Sequence, residues 1–188
     1  MVVSLLLLVS CDLFTTRTPE TPEGTGTNGW RFPESPRVAI DNLNSAMGRR
    51  SPSDYTRLFV ATGVSQTEYS YQPDPGTASS NPGMFDGWGV TKEQQHSQSL
   101  FAPTNVPLDS LVLLTMRVER ETSVGDTSNI SIDYVLHVGH KIEDRPRDFE
   151  GRGEFRLIRV EDGGWYIVNW SDTRATGKAC WSDLKALF

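Results

Sequence analysis

The chain has 188 residues, a length that suits one domain with short appendages. Hydrophobic residues make up 37% and aromatic residues 10%, too much for a disordered chain; a body of about 150 residues buries roughly 70% of its unfolded surface, so no staple is required. A net charge of −6 excludes the basic footprint of a nucleic-acid binder, and the adjacent cations Arg49-Arg50 and Arg145 to Arg147 read as solvated surface beside helix ends or carboxylates.

Met1 to Ser10 read MVVSLLLLVS, an uncharged apolar run with the length of a secretory h-region and too short to span a bilayer. The run ends Leu8-Val9-Ser10-Cys11, a small residue directly ahead of a cysteine. This ending resembles the lipobox of bacterial lipoproteins. The resemblance implies that residues 1–10 are a signal peptide, cut before Cys11, and that Cys11 carries fatty acyl chains such as palmitate. Each buried CH₂ contributes about 0.8 kcal/mol, so two or three chains anchor a protein durably where one does not. No Lys or Arg precedes the run, a departure that predicts a translation start further upstream. Asp12 resembles the inner-membrane retention signal of enteric bacteria, a rule that does not hold across all Gram-negative groups, so inner and outer membrane both stay open. Residues 11–34 are rich in Thr, Pro, Gly and Glu and nearly free of apolar residues before Trp30, which predicts a flexible lipidated tether. With Cys11 acylated, Cys180 has no partner within the chain; between Ala179 and Trp181 it reads as a small buried hydrophobe.

The folded body is expected over 35–188. Ser35-Pro36 supplies an N-cap and first helical residue, and Ala39, Ile40, Leu43, Ala46 and Met47 recur at helical spacing until Gly48. Ser51 and Asp54 are spaced as a capping box for a second short helix whose inward set is Tyr55, Leu58 and Phe59. Residues 63–87 are polar and turn-rich, with Tyr69 and Tyr71 on a short strand and Pro73, Pro75 and Pro82 limiting regular structure. Thr91 and Gln94 predict another capping box, opening a helix to Phe101, with Trp88, Leu100 and Phe101 as anchors.

Strands follow. Residues 110–122 form a long one, and a turn is expected over 123–129. Residues 130–140 alternate: Ile130, Ile132, Tyr134, Leu136 and Val138 share one face, Ser131, Asp133, Val135 and His137 the other. A strand over 151–160 passes through Asp162-Gly163-Gly164 into a strand over 165–170. A last short helix over 182–187 is expected to be capped by Ser182.

Helices first and a meander of long strands afterwards predict an α+β fold, a curved antiparallel sheet wrapped on helices. The paired N-terminal helices with Asp54-Tyr55 and Leu58-Phe59, the helix led by Trp88, and above all the hairpin Gly-Gly-Trp-Tyr-Ile-Val-Asn-Trp at 163–170 resemble the NTF2-like (cystatin-like) superfamily over about residues 35–173. The resemblance places Trp181 to Phe188 outside the family core. It implies a conical cavity between sheet and helices. Ketosteroid isomerase-like and dehydratase-like members put an Asp, a Tyr or a His inside such a cavity, while many other members are non-catalytic.

Two candidates for chemistry, Asp133 and His137, lie about 13 Å apart along one strand, too far for a direct dyad, and on its more polar face. Tyr55 and Trp88, with Asp133, are candidates for the mouth of a ligand cavity. His137 and His140 are three apart on a strand and point to opposite faces, and no third His or Cys completes a zinc set, so no metal or other cofactor is expected. Ser171-Asp172 and Ser182-Asp183 lack the strand–elbow–helix context of a hydrolase and read as turn and cap. The tryptophans read as core and cavity wall. The expectation is an envelope lipoprotein, membrane-bound through its lipid, that serves non-catalytic binding or assembly with a protein partner or small apolar ligand. The rival is an isomerase-like or dehydratase-like enzyme, or a carrier, using the cone.

Overall fold

The computed structural model describes residues 29–188; the apolar leader, Cys11 and the tether up to residue 28 lie outside the described residues. Residues 30–34, expected in the tether, are already fastened to the domain. The Arg31 N–H donates to Asn42 Oδ1 (3.1 Å), Asn42 Nδ2 returns a bond to the Arg31 carbonyl (2.7 Å), and Trp165 N–H donates to the Pro33 carbonyl (2.8 Å). Trp30 is half-buried beneath the Arg57 guanidinium, 4.3 Å from its ring centre. The domain therefore begins ahead of Ser35.

Helix α1 (Pro36–Arg49) starts as its cap predicts, with Ser35 Oγ accepting from the Val38 N–H at 3.3 Å. It passes Gly48 and stops at Arg50, which adopts the left-handed conformation (φ 53°) while the Ser51 N–H closes back on the Ala46 carbonyl. Helix α2 (Pro52–Thr56) uses Ser51 as its cap, but only half of the expected box forms: the Asp54 N–H donates to Ser51, and the Asp54 carboxylate lies 3.7 Å from Arg57. Strand β1 (Ser70–Gln72) follows. Pro75 then opens α3 (Pro75–Ser80) where the sequence had predicted irregular chain. A proline at the first helical position lacks only an N–H that would go unpaired there, and Asp74 accepts from the Gly76 and Thr77 N–H groups. Helix α4 (Val90–Leu100) is not opened by Thr91 and Gln94; the chain enters it through extended Gly89 with no side-chain cap.

Four antiparallel strands, β2 (Val112–Val124), β3 (Thr127–Val138), β4 (Asp148–Arg159) and β5 (Trp165–Arg174), make the sheet, with β1 added parallel to β5. The turn expected over 123–129 shrinks to Gly125-Asp126, with Gly125 at φ +56°. Thr127, Ser128 and Asn129 belong to the ladder, and their polarity had made them read as turn. Register shifts at Val118/Arg120 and Arg156/Leu157 bend the long strands, because an extra residue on one strand increases local twist. The concave face carries Ile130, Ile132, Leu136, Phe149, Leu157 and Ile167, all buried in one core cluster with side chains of α1, Tyr55 of α2 and the Leu58–Val60 segment.

Gly151 and Gly153, read from sequence as the start of a strand, lie inside β4 on this face. A Cβ at Gly151 would stand 2.4 Å from the Thr173 carbonyl and 2.7 Å from Tyr134 Oη, so only glycine lets the tyrosine hydroxyl cross the sheet there. The chain finishes with α5 (Trp181–Leu187). Its cap is Cys180, with Asp183 accepting from the Cys180 N–H at 2.9 Å; the predicted cap, Ser182, turns inward. This segment, which the resemblance leaves outside the family core, lies against the concave face, and the side chains of Trp181, Leu184 and Lys185 have no exposure to solvent.

Candidate functional site: a sealed cone and an outer cleft

Helix α4 aims Glu93, His96, Ser97 and Leu100 at the interior, the i, i+3, i+4, i+7 spacing of a core face, although three of the four are polar. Glu93 is fully buried. Its Oε1 accepts from Tyr69 Oη (2.6 Å), from Trp88 Nε1 (2.9 Å) and from the Lys185 ammonium, and its Oε2 accepts from Tyr55 Oη (3.0 Å). Lys185 enters from α5. Its Nζ lies 4.1 Å from the ring centre of Tyr71, 4.6 Å from Trp170 and 5.1 Å from Trp88. Burial pushes the Lys185 ammonium down to about 8, and Glu93 acts in the opposite direction. Burial, followed by the neighbouring carboxylate, drives the Tyr55 and Tyr69 hydroxyls well above their ordinary range. His96 is held neutral, well below its ordinary range, by burial and then by Lys185. Neither of its ring nitrogens has a hydrogen-bond partner among the described residues.

A second carboxylate, Asp172 on β5, is also buried. It accepts from Tyr134 Oη (2.6 Å), the Ser182 N–H (2.7 Å) and Ser182 Oγ (2.6 Å). With its hydroxyl hydrogen directed at Asp172, Ser182 Oγ accepts from Tyr71 Oη (2.7 Å) and the Asp74 N–H (2.8 Å). The two Trp-Ser-Asp stretches thus meet in space. Ser182 of one binds Asp172 of the other, and Trp170 and Trp181 pack edge to face at 4.8 Å. Helix α5 therefore completes both buried carboxylates, through Ser182 on one turn and Lys185 on the next. Cys180 is buried beside Thr77 and Asp183, and burial pushes its thiol up to about 12.

The sequence candidates are divided between the two faces of the sheet. Tyr55 and Trp88 come together on Glu93, in the centre of the domain and not at a mouth. Asp133 lies on the convex face and accepts from Arg152 (2.8 Å) and Arg117 (3.0 Å); the Arg152 bond above all holds its carboxyl below the usual range. His137 pairs with Asp148 at 2.7 Å on the same open face. Among the described residues no three His, Cys, Asp or Glu side chains gather as metal ligands. The residues that sequence reasoning missed are Glu93, Lys185, Asp172 and Ser182. Their signal was positional: Glu93 sits at a core position of a helix whose only apolar residues are Val90 and Leu100 at its ends, and Lys185 follows Trp181 by one turn.

Space remains outside the cone. A cleft of about 770 Å³ opens between α2, the outer side of α4 and the β4–β5 hairpin. Its walls are mainly apolar, with Trp30, Val60, Val64, Val90, Val160 and Tyr166 among them, and Arg57, Gln94, Gln98 and Asp162 supply polar groups. No helix among the described residues is long and apolar enough to cross a membrane.

N-terminal helices packed on a curved, unclosed five-stranded sheet define an α+β cone, and the fold is NTF2-like. Solved structures share it. An NTF2-like superfamily protein from Salmonella enterica is 16% identical, with 74% of this chain and 89% of that one covered at a TM-score of 0.50. A provisionally assigned scytalone dehydratase from Novosphingobium aromaticivorans is 12% identical, covering 74% and 81% at 0.56. A ketosteroid isomerase-like protein from Erwinia carotovora atroseptica is 10% identical, covering 74% and 93% at 0.52. At these identities the likeness is one of fold. No family model matches the sequence, and no curated protein matches it.

Proposed function

We propose that the chain is a lipid-anchored, non-catalytic binding module of the bacterial cell envelope. The observation that carries the non-catalytic reading is α5. General acid–base work needs a substrate atom within hydrogen-bond reach of the acting group, and the place beside Glu93 is taken by the Lys185 ammonium that α5 brings in. Each Glu93 oxygen already accepts hydrogen bonds, from four donors in all. The isomerase-like or dehydratase-like alternative would need this interior emptied. The outer cleft is the contact surface, and its apolar walls suit a small apolar ligand. The anchor rests on the apolar run ending in Leu8-Val9-Ser10-Cys11. Attachment by lipid through residues 12–28 would bring the membrane side of the chain to Trp30, at the edge of the cleft.

Fractionation of bacteria expressing the full chain tests the anchor. The unaltered protein should sediment with membranes and carry acyl mass on the mature N-terminal cysteine. Cys11→Ala should move it to the soluble fraction. Equal partitioning of the two, or an unmodified thiol at position 11, would overturn the proposal.

A further inference from the structure

Lys185 is held as a receptor holds an organic cation. Its ammonium meets one carboxylate and three aromatic faces, all within the roughly 6 Å over which ring quadrupoles attract a cation. We propose that the interior beneath α5 is a binding site for a primary alkylammonium group, filled by the chain's own Lys185. The inference goes beyond the anchored-module reading and does not depend on the anchor.

The cage is built without α5. Glu93 belongs to α4 and is oriented by Tyr55 of α2, Tyr69 just ahead of β1 and Trp88 just ahead of α4. The aromatic walls are Tyr71 of β1, Trp170 of β5 and Trp88 again. If the lysine were withdrawn, three neutral donors would still fix the carboxylate in place, but none would neutralise it. What remains is a pre-organised negative charge facing π surfaces, with Asp172 acting as a second attraction on the same cation. The other titratable neighbour, His96, is kept neutral and does not compete. The occupant must also supply an N–H to Glu93 Oε1, as Lys185 does. A quaternary ammonium has none, and a neutral alcohol of the same length brings no charge. A short unbranched primary amine in its protonated form satisfies both demands.

Lys185→Ala deletes the atoms from Cγ to Nζ, which n-propylammonium replaces one for one. Titration of this variant with n-propylammonium chloride, followed by calorimetry and thermal melting, tests the proposal. Saturable binding is expected with a Kd on the order of 1 mM, in keeping with so small a ligand, together with a rise in Tm. Equal concentrations of n-propanol or sodium chloride should act at least tenfold more weakly. Lys185→Met, which keeps the space filled, should not respond, and Lys185→Ala with Glu93→Gln should lose at least tenfold in affinity. If Lys185→Ala does not fold in plain buffer, refolding from urea followed by tryptophan fluorescence becomes the readout, and the amine should restore it over the same range. An amine that neither binds nor restores folding would overturn the inference. So would an equal effect of n-propanol, or equal binding by Lys185→Met.

Discussion

Lys185→Met exchanges the buried ammonium for an apolar side chain of similar length, so packing is nearly kept and the charge is lost. The Glu93 carboxylate is then left in a fully buried position with Tyr55, Tyr69 and Trp88 as its only donors among the described residues. Removing one member of a buried ion pair costs about 3–5 kcal/mol. Three retained hydrogen bonds put this case at the lower end, about 3 kcal/mol, a large part of the roughly 5–15 kcal/mol that holds a typical domain together. For a domain of this size that is a drop in Tm of roughly 6–12 °C. Adding Glu93→Gln should recover most of the loss. The amide oxygen can accept from Tyr69 and Trp88, and its NH₂ can donate to Tyr55 Oη. A coupling energy of about 2 kcal/mol or more is expected between the two sites. Urea unfolding at pH 7, followed by the fluorescence of Trp88, Trp170 and Trp181, measures all four corners of the cycle. A loss below about 1 kcal/mol for Lys185→Met, or losses that simply add in the double variant, would refute the account of a charge pair at the centre of the fold.

Stability should depend on pH in an unusual way. The folded Lys185 titrates near 8 and the unfolded one near 10.5, so between these values the unfolded chain binds the extra proton and stability rises with pH, by at most about 1.4 kcal/mol per unit. From pH 9 the unfolded Cys180 thiol ionises while the folded one waits until about 12, which opposes the rise. Above pH 10 the buried hydroxyls of Tyr55, Tyr69, Tyr71 and Tyr134 resist ionisation only in the folded state, and stability falls. Denaturation midpoints should therefore climb from pH 8 to 9, level off and drop beyond 10; Lys185→Met should lack the climb, and a steady fall from pH 7 would contradict the burial of Lys185. At the outer cleft, Val64 is 55% exposed, so Val64→Glu should change stability by less than about 0.5 kcal/mol. It should still weaken Nile red fluorescence enhancement several-fold, and unchanged enhancement would remove the cleft as an apolar binding surface.

How far the fold could be read in advance differs from element to element. The alternation of Ile130, Ile132, Tyr134, Leu136 and Val138 and the Asp162-Gly163-Gly164 turn pointed to a curved sheet because burying one face requires a period of two, and the buried set agrees. Helix α4 was harder. The capping-box spacing of Thr91 and Gln94 predicts an opening there, yet such pairs also occur within a first turn, and Gly89 is the cap. Asp172 and Ser182 looked like turn and cap, since nothing local distinguishes a serine that closes a helix from one that reaches another strand. The sequence alone suggests a cavity mouth for Tyr55 and Trp88, whereas both are buried on Glu93, a glutamate in a polar helix that nothing local links to them.

Periodicity, caps and turn residues act between neighbours along the chain, so the sequence by itself determined the α+β class, the inward stripe of β3 and the course of α1. It also specified, through the motif at Cys11, the expectation of a lipid anchor, which concerns residues outside those the structure describes. Only the tertiary structure decided that α5 closes the cone, that Lys185 reaches Glu93 from 92 positions away, and that two similar tripeptides meet as Ser182 and Asp172. Those choices depend on long-range packing. A lysine or glutamate is read as solvated until its partners across the core are known, because burial of either charge is tolerable only when the other arrives with it.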